Sequence, residues 1–236
     1  MSKKINVDQH EINKFEALAS RWWDKQGDFK PLHDINPLRA NWVDQETPVS
    51  GKTLLDIGCG GGIFSESMTI RGAKVIGIDM GVAPLSVAKM HALETNLEID
   101  YLQCTAEELA TQKPGSFDLV CCLEMLEHVP DPRAIIEACA SLTKRGGTIY
   151  LSTINRNIKA FLFAIIGAEH ILRMLPIGTH QYAKLIKPSE LAHWARLSDL
   201  IVERVVGMTY NPITGIYKLT DKDLSVNYLM KLSKPL

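Results

Sequence analysis

Glu124, Glu127 and His128 stand within five residues in EMLEHVPDP, directly after the apolar run DLVCCL. Two carboxylates and an imidazole at that spacing fit two chemistries. They could clasp a divalent cation such as Mg2+, mainly through oxygen, or His128 could act as a general base. Histidine is a borderline ligand for Mg2+, which prefers oxygen and water. The residues themselves leave both readings open. A second cluster lies upstream in LLDIGCGGG, where Asp56 precedes Gly58, Gly60, Gly61 and Gly62. A strand-to-helix turn needs one or two glycines for positive φ. Four in five positions point to more, a bare backbone at a helix N-terminus that a ligand can approach closely. The dinucleotide pattern G-x-G-x-x-G would place its third glycine at position 63, which is Ile63. The spacing is instead D-x-G-x-G-x-G from Asp56, which weakens a nicotinamide-dinucleotide reading. Cys59, inside the loop, has no activating partner in the pattern and reads as a small neutral filler.

These clusters need a scaffold, and the chain supplies an alternating one. Residues 8–23 read as a helix, with Ile12, Phe15, Ala19 and Trp22 at helical spacing. The Pro-containing stretch 29–42, FKPLHDINPLRANW, leads into a second short helix. From Lys52 onward, TLLDI, KVIGID, IDYLQ, DLVCCL and TIYLST fit strands, while FSESMTIRG, VAPLSVAKMHALE and PRAIIEACASLTK fit helices between them. That alternation predicts an α/β fold, a mostly parallel sheet with helices on both faces. ELAHWARL reads as a further helix. LIVERVVGMTY and SVNYLMKL read as two last strands, an antiparallel hairpin joined through NPITG, for seven strands in all. The expected organisation is a single domain over 1–236. It has an N-terminal helical cap (1–50), a core (51–157), an insertion (158–187), and a C-terminal helix with the strand hairpin (188–236).

With 26 basic and 27 acidic residues the net charge is −1, so no broad field for nucleic acid exists and none is expected as a partner. The start, MSKKINVDQHEINKF, lacks the apolar core of a signal peptide, so a cytoplasmic location is expected. Cys59, Cys104, Cys121, Cys122 and Cys139 show no CxxC pair and read as free and mostly buried.

DIGCGGG resembles the first motif of class I S-adenosylmethionine (SAM)-dependent methyltransferases, and the strand–helix alternation resembles their seven-stranded Rossmann-like fold. The resemblance implies that Asp79, which ends KVIGID, accepts hydrogen bonds from both ribose hydroxyls of the methyl donor; a helix cap before VAPLSVAKM is compatible with that. It also implies that Glu107 in CTAEEL contacts adenine, and that Leu123 brings its backbone to the methionine moiety. A helix N-terminal charge and a core leucine are the competing roles of these two. More of the chain resembles one family, the ubiquinone-biosynthesis O-methyltransferases. The stretches that carry this are KFEALASRWWD, FKPLHDINPLRANW, LLDIGCGGGIFSESM, GIDMGVAPLSVAKMHALE, EMLEHVPDP, STINRN, GAEHILRMLPIGTH, LIKPSEL and YNPIT, from about residue 11 to about 215. Membership would imply O-methylation of catechol-type hydroxyls on polyprenylated phenols and quinols. Arg39, Gly58, Asp79 and Leu123 would then hold the donor. Arg39 is suited to the donor's carboxylate, because a guanidinium matches that plane with two hydrogen bonds. Position 123 often carries methionine in bacterial relatives. The same resemblance implies that Glu124, Glu127 and His128 either hold a divalent metal or supply the base.

Residues 158–176 form the most apolar stretch. Ile158, Phe161, Leu162, Ile165 and Ile166 follow an amphipathic helical pattern, while Lys159, Glu169, His170 and Arg173 exclude a membrane span. A helix packed on the core is one reading. The other is a lid over 158–187 that touches anionic lipid at the inner membrane face, aided by Lys184 and Lys187, and so meets a substrate dissolved in the bilayer. Of Trp22 and Trp23, one is expected in the core and the other facing the substrate tail. Expected partners are the polyprenylated substrate, anionic lipid and other quinone-biosynthesis enzymes. Two alternatives remain: a methyltransferase of another small phenol or carboxylate, and a non-catalytic donor-binding scaffold of a quinone-biosynthesis complex.

Overall fold

A computed structural model of the chain describes residues 5–157, 160, 182–212 and 214–236. Eight strands form one sheet: β1 (Thr53–Ile57), β2 (Lys74–Asp79), β3 (Asp100–Gln103), β4 (Phe117–Leu123), β5 (Thr143–Ile154), β6 (Ile201–Asn211), β7 (Ile216–Thr220) and β8 (Asn227–Ser233). Their order is β3-β2-β1-β4-β5-β8-β6-β7. The first five are parallel, and β8 runs antiparallel between β5 and β6. β1 and β4 are buried on both faces, which explains why they are apolar at most positions. Alternate residues serve opposite cores: Leu55, Ile57, Val120 and Cys122 pack on one face, and Leu54, Leu119, Cys121 and Leu123 on the other.

The α/β architecture matches the expectation, with one correction to the strand count. The chain has an eighth strand, β7, because the NPITG turn folds β6 back onto IYKLT and not onto the last strand. Gly215 N–H closes that turn on Asn211 O at 2.8 Å. β7 is a partly exposed edge strand carrying Lys218, and such edges lack the apolar signature of central strands.

Among the described residues the α-helices with given bounds are α1 (Gln9–Leu18), α2 (Lys30–Glu46), α3 (Ile63–Ile70), α4 (Val82–Glu94), α5 (Ala106–Gln112), α6 (Pro132–Leu142) and α7 (Pro188–Leu197). α1 ends at Leu18, short of the expected 23, and one 3-10 turn, Ala19–Arg21, follows it. The stretch 29–42 is not a lead-in: Phe29 is the N-cap of α2 and the rest lies within that helix. Pro31 occupies its first turn and Pro37 lies inside it, at the loss of one helical hydrogen bond. The expected insertion at 158–187 lies mostly outside the described residues. Of it, Ala160 and Leu185 are buried against Ile154. Among the described residues no helix is long and apolar enough to cross a membrane. All five cysteines are free, four of them buried. Burial pushes the Cys59, Cys121 and Cys122 thiols well above their usual range, so none is a thiolate nucleophile.

Candidate active site

The sheet order reverses between β1 and β4, and a crevice opens at such a switch point beyond the strands' carboxyl ends. Three connections meet there: the glycine loop after β1, the turn after Asp79 on β2, and residues 124–128 after β4. In the loop, Gly58, Gly60 and Gly62 have φ of +72°, +52° and +89°, a region that side chains resist. Gly58 and Cys59 N–H both donate to Ile78 O, Gly62 N–H to Cys59 O, and Gly60 N–H to Asp79 Oδ2 at 2.9 Å. Three of these four amides tie the loop to β2 and the fourth closes the loop on itself, because a turn this tight must satisfy its own donors.

The space left by the missing side chains is also claimed within the chain. A Cβ on Gly58 would lie 2.5 Å from Met125 Cγ, on Gly60 2.2 Å from Trp22 Cζ2, and on Gly61 2.3 Å from Trp22 Cγ. Trp22 thus lies flat on the loop, buried and stacked on Phe29 at 4.0 Å. Trp23 stacks on His91 at 3.4 Å and donates its Nε1–H to Gly61 O. Trp22 is the core tryptophan, as expected of one of the pair. Trp23 is bound to the loop's outer side.

Asp79 accepts from Gly60 N–H and, at 2.8 Å through Oδ1, from Gly81 N–H. Burial raises its pKa, against the backbone donors that lower it. The Met80 amide is a third backbone donor, and what remains of the carboxylate's acceptor capacity, about four positions in all, is open to a diol. Asp56 is buried, accepts from Ser65 Oγ at 2.6 Å, and has its pKa pushed up to about 6 by burial, against the Ser65 bond and the Arg39 charge. It therefore anchors α3 and faces Arg39. Arg39 sits inside α2, fully enclosed; burial disfavours its charge while Glu124 and Asp56 support it, and its Nε has no hydrogen-bond partner. Glu107 is held through Oε1 by Asn6 Nδ2 (2.9 Å), whereas its buried Oε2 has no partner. An unmatched guanidinium and an unmatched carboxylate oxygen fit a zwitterionic nucleoside ligand, since burial without partners is costly. Leu123 is buried at the end of β4.

Residues 124–128 are tightly arranged. Glu124 adopts φ +55°, rare for glutamate. It is fixed there by Ser152 Oγ (2.7 Å) and Asn227 Nδ2 (2.9 Å) donating to its two oxygens. Glu127 is buried and accepts from Thr153 Oγ1 at 2.7 Å. Burial, then the Glu124 charge, raises its pKa. His128 turns to α1, where its Nδ1 lies 3.0 Å from Glu11 Oε2 and its ring meets the edge of Phe15. Burial pushes Glu11 upward, but the His128 hydrogen bond and charge, with Lys14, outweigh it and bring the pKa to about 2. Among the described residues no three His, Cys, Asp or Glu side chains are arranged to hold a metal ion. The expected Mg2+ clasp is therefore not formed by Glu124, Glu127 and His128 as the chain places them; each answers to a different partner.

Sequence reasoning missed three residues here: Glu11, Asn6 and Trp22 as a loop cover. The one available signal was Glu11, an acid in register with Phe15 and Leu18 on α1. Lys184, expected at lipid, is instead paired with Asp8 (2.9 Å) and Glu11 (3.4 Å).

The fold and crevice define a class I, Rossmann-like SAM-dependent methyltransferase. A methyltransferase domain family matches residues 33–205. Solved structures agree on the fold. One is a SAM-dependent methyltransferase from Thermotoga maritima, described as a possible histamine N-methyltransferase (TM-score 0.69, 18% identity, 95% of this chain and 98% of that one). Another is magnesium protoporphyrin IX methyltransferase from Synechocystis with bound SAM (TM-score 0.64, 18% identity, 98% and 100%). Curated relatives named ubiquinone biosynthesis O-methyltransferase are far more similar. Those of Saccharophagus degradans and Dechloromonas aromatica are each 60% identical, over 99% of both chains and over 96% and 97% respectively. The chain belongs to the ubiquinone biosynthesis O-methyltransferase family.

Proposed function

We propose that the protein transfers a methyl group from SAM to a catechol-type hydroxyl of a polyprenylated phenol or quinol, including the step from 3-demethylubiquinol to ubiquinol and the earlier 2-polyprenyl-6-hydroxyphenol step. The observation that carries this reading is the 60% identity, end to end, with the ubiquinone biosynthesis O-methyltransferases. The donor, when bound, supplies an electrophilic methyl on a positive sulfur. Arg39 pairs with its carboxylate through the guanidinium that lacks an internal partner at Nε. The free acceptor positions of Asp79 take the ribose hydroxyls, Glu107 Oε2 takes a donor of the adenine, and the Leu123 backbone borders the methionine chain.

A cationic donor needs little acid assistance, so the task left to the chain is to make the acceptor oxygen nucleophilic. His128 is the base that takes the catechol proton. Glu124, held by Ser152 and Asn227, places negative charge beside Arg39, and Glu127, held by Thr153, walls the acceptor end. No step passes through a metal ion, because the three side chains are not gathered as ligands. The bilayer-dissolved tail of the substrate supports peripheral contact with anionic lipid at the inner membrane face. Within the expected contact segment, exposed Lys187 is available for it, while Lys184 is paired.

Incubation with radiolabelled SAM and a short-tailed 3-demethylubiquinol tests the proposal. Label should enter the quinol far faster than an unprenylated catechol or a carboxylate. Labelling of another phenol with none of the quinol would overturn it.

A further inference from the structure

Glu11 is the one residue of α1 that is buried, and its two oxygens face different ways. Oε2 meets His128 Nδ1 at 3.0 Å, while Oε1 meets Lys14 Nζ at 3.2 Å and Lys184 Nζ at 3.4 Å. Asp8, at the N-cap of the same helix, takes Lys184 Nζ at 2.9 Å. Phe15, one turn further along, presses edge-on against the His128 ring at 5.2 Å and 87°. The imidazole is thus held in plane by an aromatic edge and in rotation by a carboxylate, which is itself held by two ammonium groups.

An ionised carboxylate only accepts, so a proton at this contact resides on His128 Nδ1, and the tautomer it selects in a neutral ring carries the lone pair on Nε2. The geometry points to Glu11 as a positioning residue for His128: it selects the Nε2 lone-pair tautomer that takes the acceptor's proton, and Lys184 with Lys14 fixes Glu11 in turn. This inference rests on the reading of His128 as the base. It gives the N-terminal cap a chemical task, since α1 reaches the site from 117 positions away in sequence. A carboxylate behind an imidazole orients the ring and supports the charge it acquires.

A double-mutant cycle on the full chain tests it. Glu11→Ala should lower kcat about 10- to 100-fold, with KM for SAM and quinol unchanged within about twofold, whereas in a His128→Ala background it should change kcat less than about twofold. Equal losses in both backgrounds would mean a structural role and overturn the inference, as would no loss in the native background. Full turnover by His128→Ala alone would instead overturn the reading of the base, an outcome distinct from either. A second measurement guards against loss of the cap: 15N NMR of His128 in Glu11→Gln, with an unchanged melting temperature. The native ring should show protonated Nδ1 and unprotonated Nε2, and the variant a shift toward the other tautomer. A native ring protonated at Nε2 alone would also refute the inference.

Discussion

Trp22 on the glycine loop allows a worked test of the architecture. Gly61 has a backbone that alanine adopts without penalty, since no positive φ is required there, yet a Cβ would sit 2.3 Å from Trp22 Cγ and 2.4 Å from Cδ1. Ordinary carbon contacts lie at about 3.5–4.0 Å, so the indole must retreat by more than about 1 Å. Retreat disturbs the stack on Phe29 and the packing with Ile63 in the same buried cluster. Overpacking of this kind costs about 1–3 kcal/mol. Full expulsion of the ring would approach the roughly 3–5 kcal/mol of a Trp→Ala truncation. We expect Gly61→Ala to cost about 2–3 kcal/mol in the native chain. In a Trp22→Ala background it should be neutral, or stabilising by up to about 1 kcal/mol, because alanine restricts the unfolded chain more than glycine does. The assay is urea unfolding followed by far-UV circular dichroism on all four proteins. The coupling energy should be about 2–4 kcal/mol. Additivity within about 0.5 kcal/mol would refute the placement of Trp22 on the loop.

Other expectations follow from the same geometry. Asp56 has a native pKa of about 6 against 3.8 unfolded. Its protonated form therefore contributes stability that is complete below the unfolded value and is lost as pH rises through about 6. Relative to Asp56→Asn, which cannot titrate, the native chain should lose about 2.4 kcal/mol of stability between pH 4 and pH 7; a pH-independent difference would contradict the buried carboxyl. Gly207→Ala would place a Cβ 1.7 Å from Asp223 O, a backbone atom. It should destabilise the chain by about 3 kcal/mol or more in urea melts, by forcing the β7–β8 connection off β6, and a neutral substitution would refute that close approach.

The parallel half of the sheet was legible because TLLDI and DLVCCL are buried on both faces, which imposes apolar character at most positions, Asp56 being the buried exception. The same logic failed for IYKLT: an edge strand half in solvent needs no such run. α2 was misplaced because Pro31 and Pro37 read as breakers, whereas one sits in a first turn and the other is tolerated inside a helix held by the burial of Ile35, Ala40, Trp42 and Val43. The glycine spacing disclosed the crevice but not its use of loop amides for internal bonds. EMLEHVPDP disclosed three chemically able side chains, while their separate partners, Ser152, Asn227, Thr153 and Glu11, come from β5, β8 and α1. Pairings across such sequence distances leave no local pattern. Glu11 showed only as an acid on an otherwise apolar stripe.

The central claim is that the crevice beyond β1, β2 and β4 holds the methyl donor through a buried guanidinium and the Asp79 carboxylate. Titration calorimetry with S-adenosylhomocysteine, the spent donor, addresses it directly. One molecule should bind per native chain, and Arg39→Met should weaken binding about 10- to 100-fold while the chain stays folded. No binding by the native chain, or undiminished affinity in folded Arg39→Met, would contradict the account.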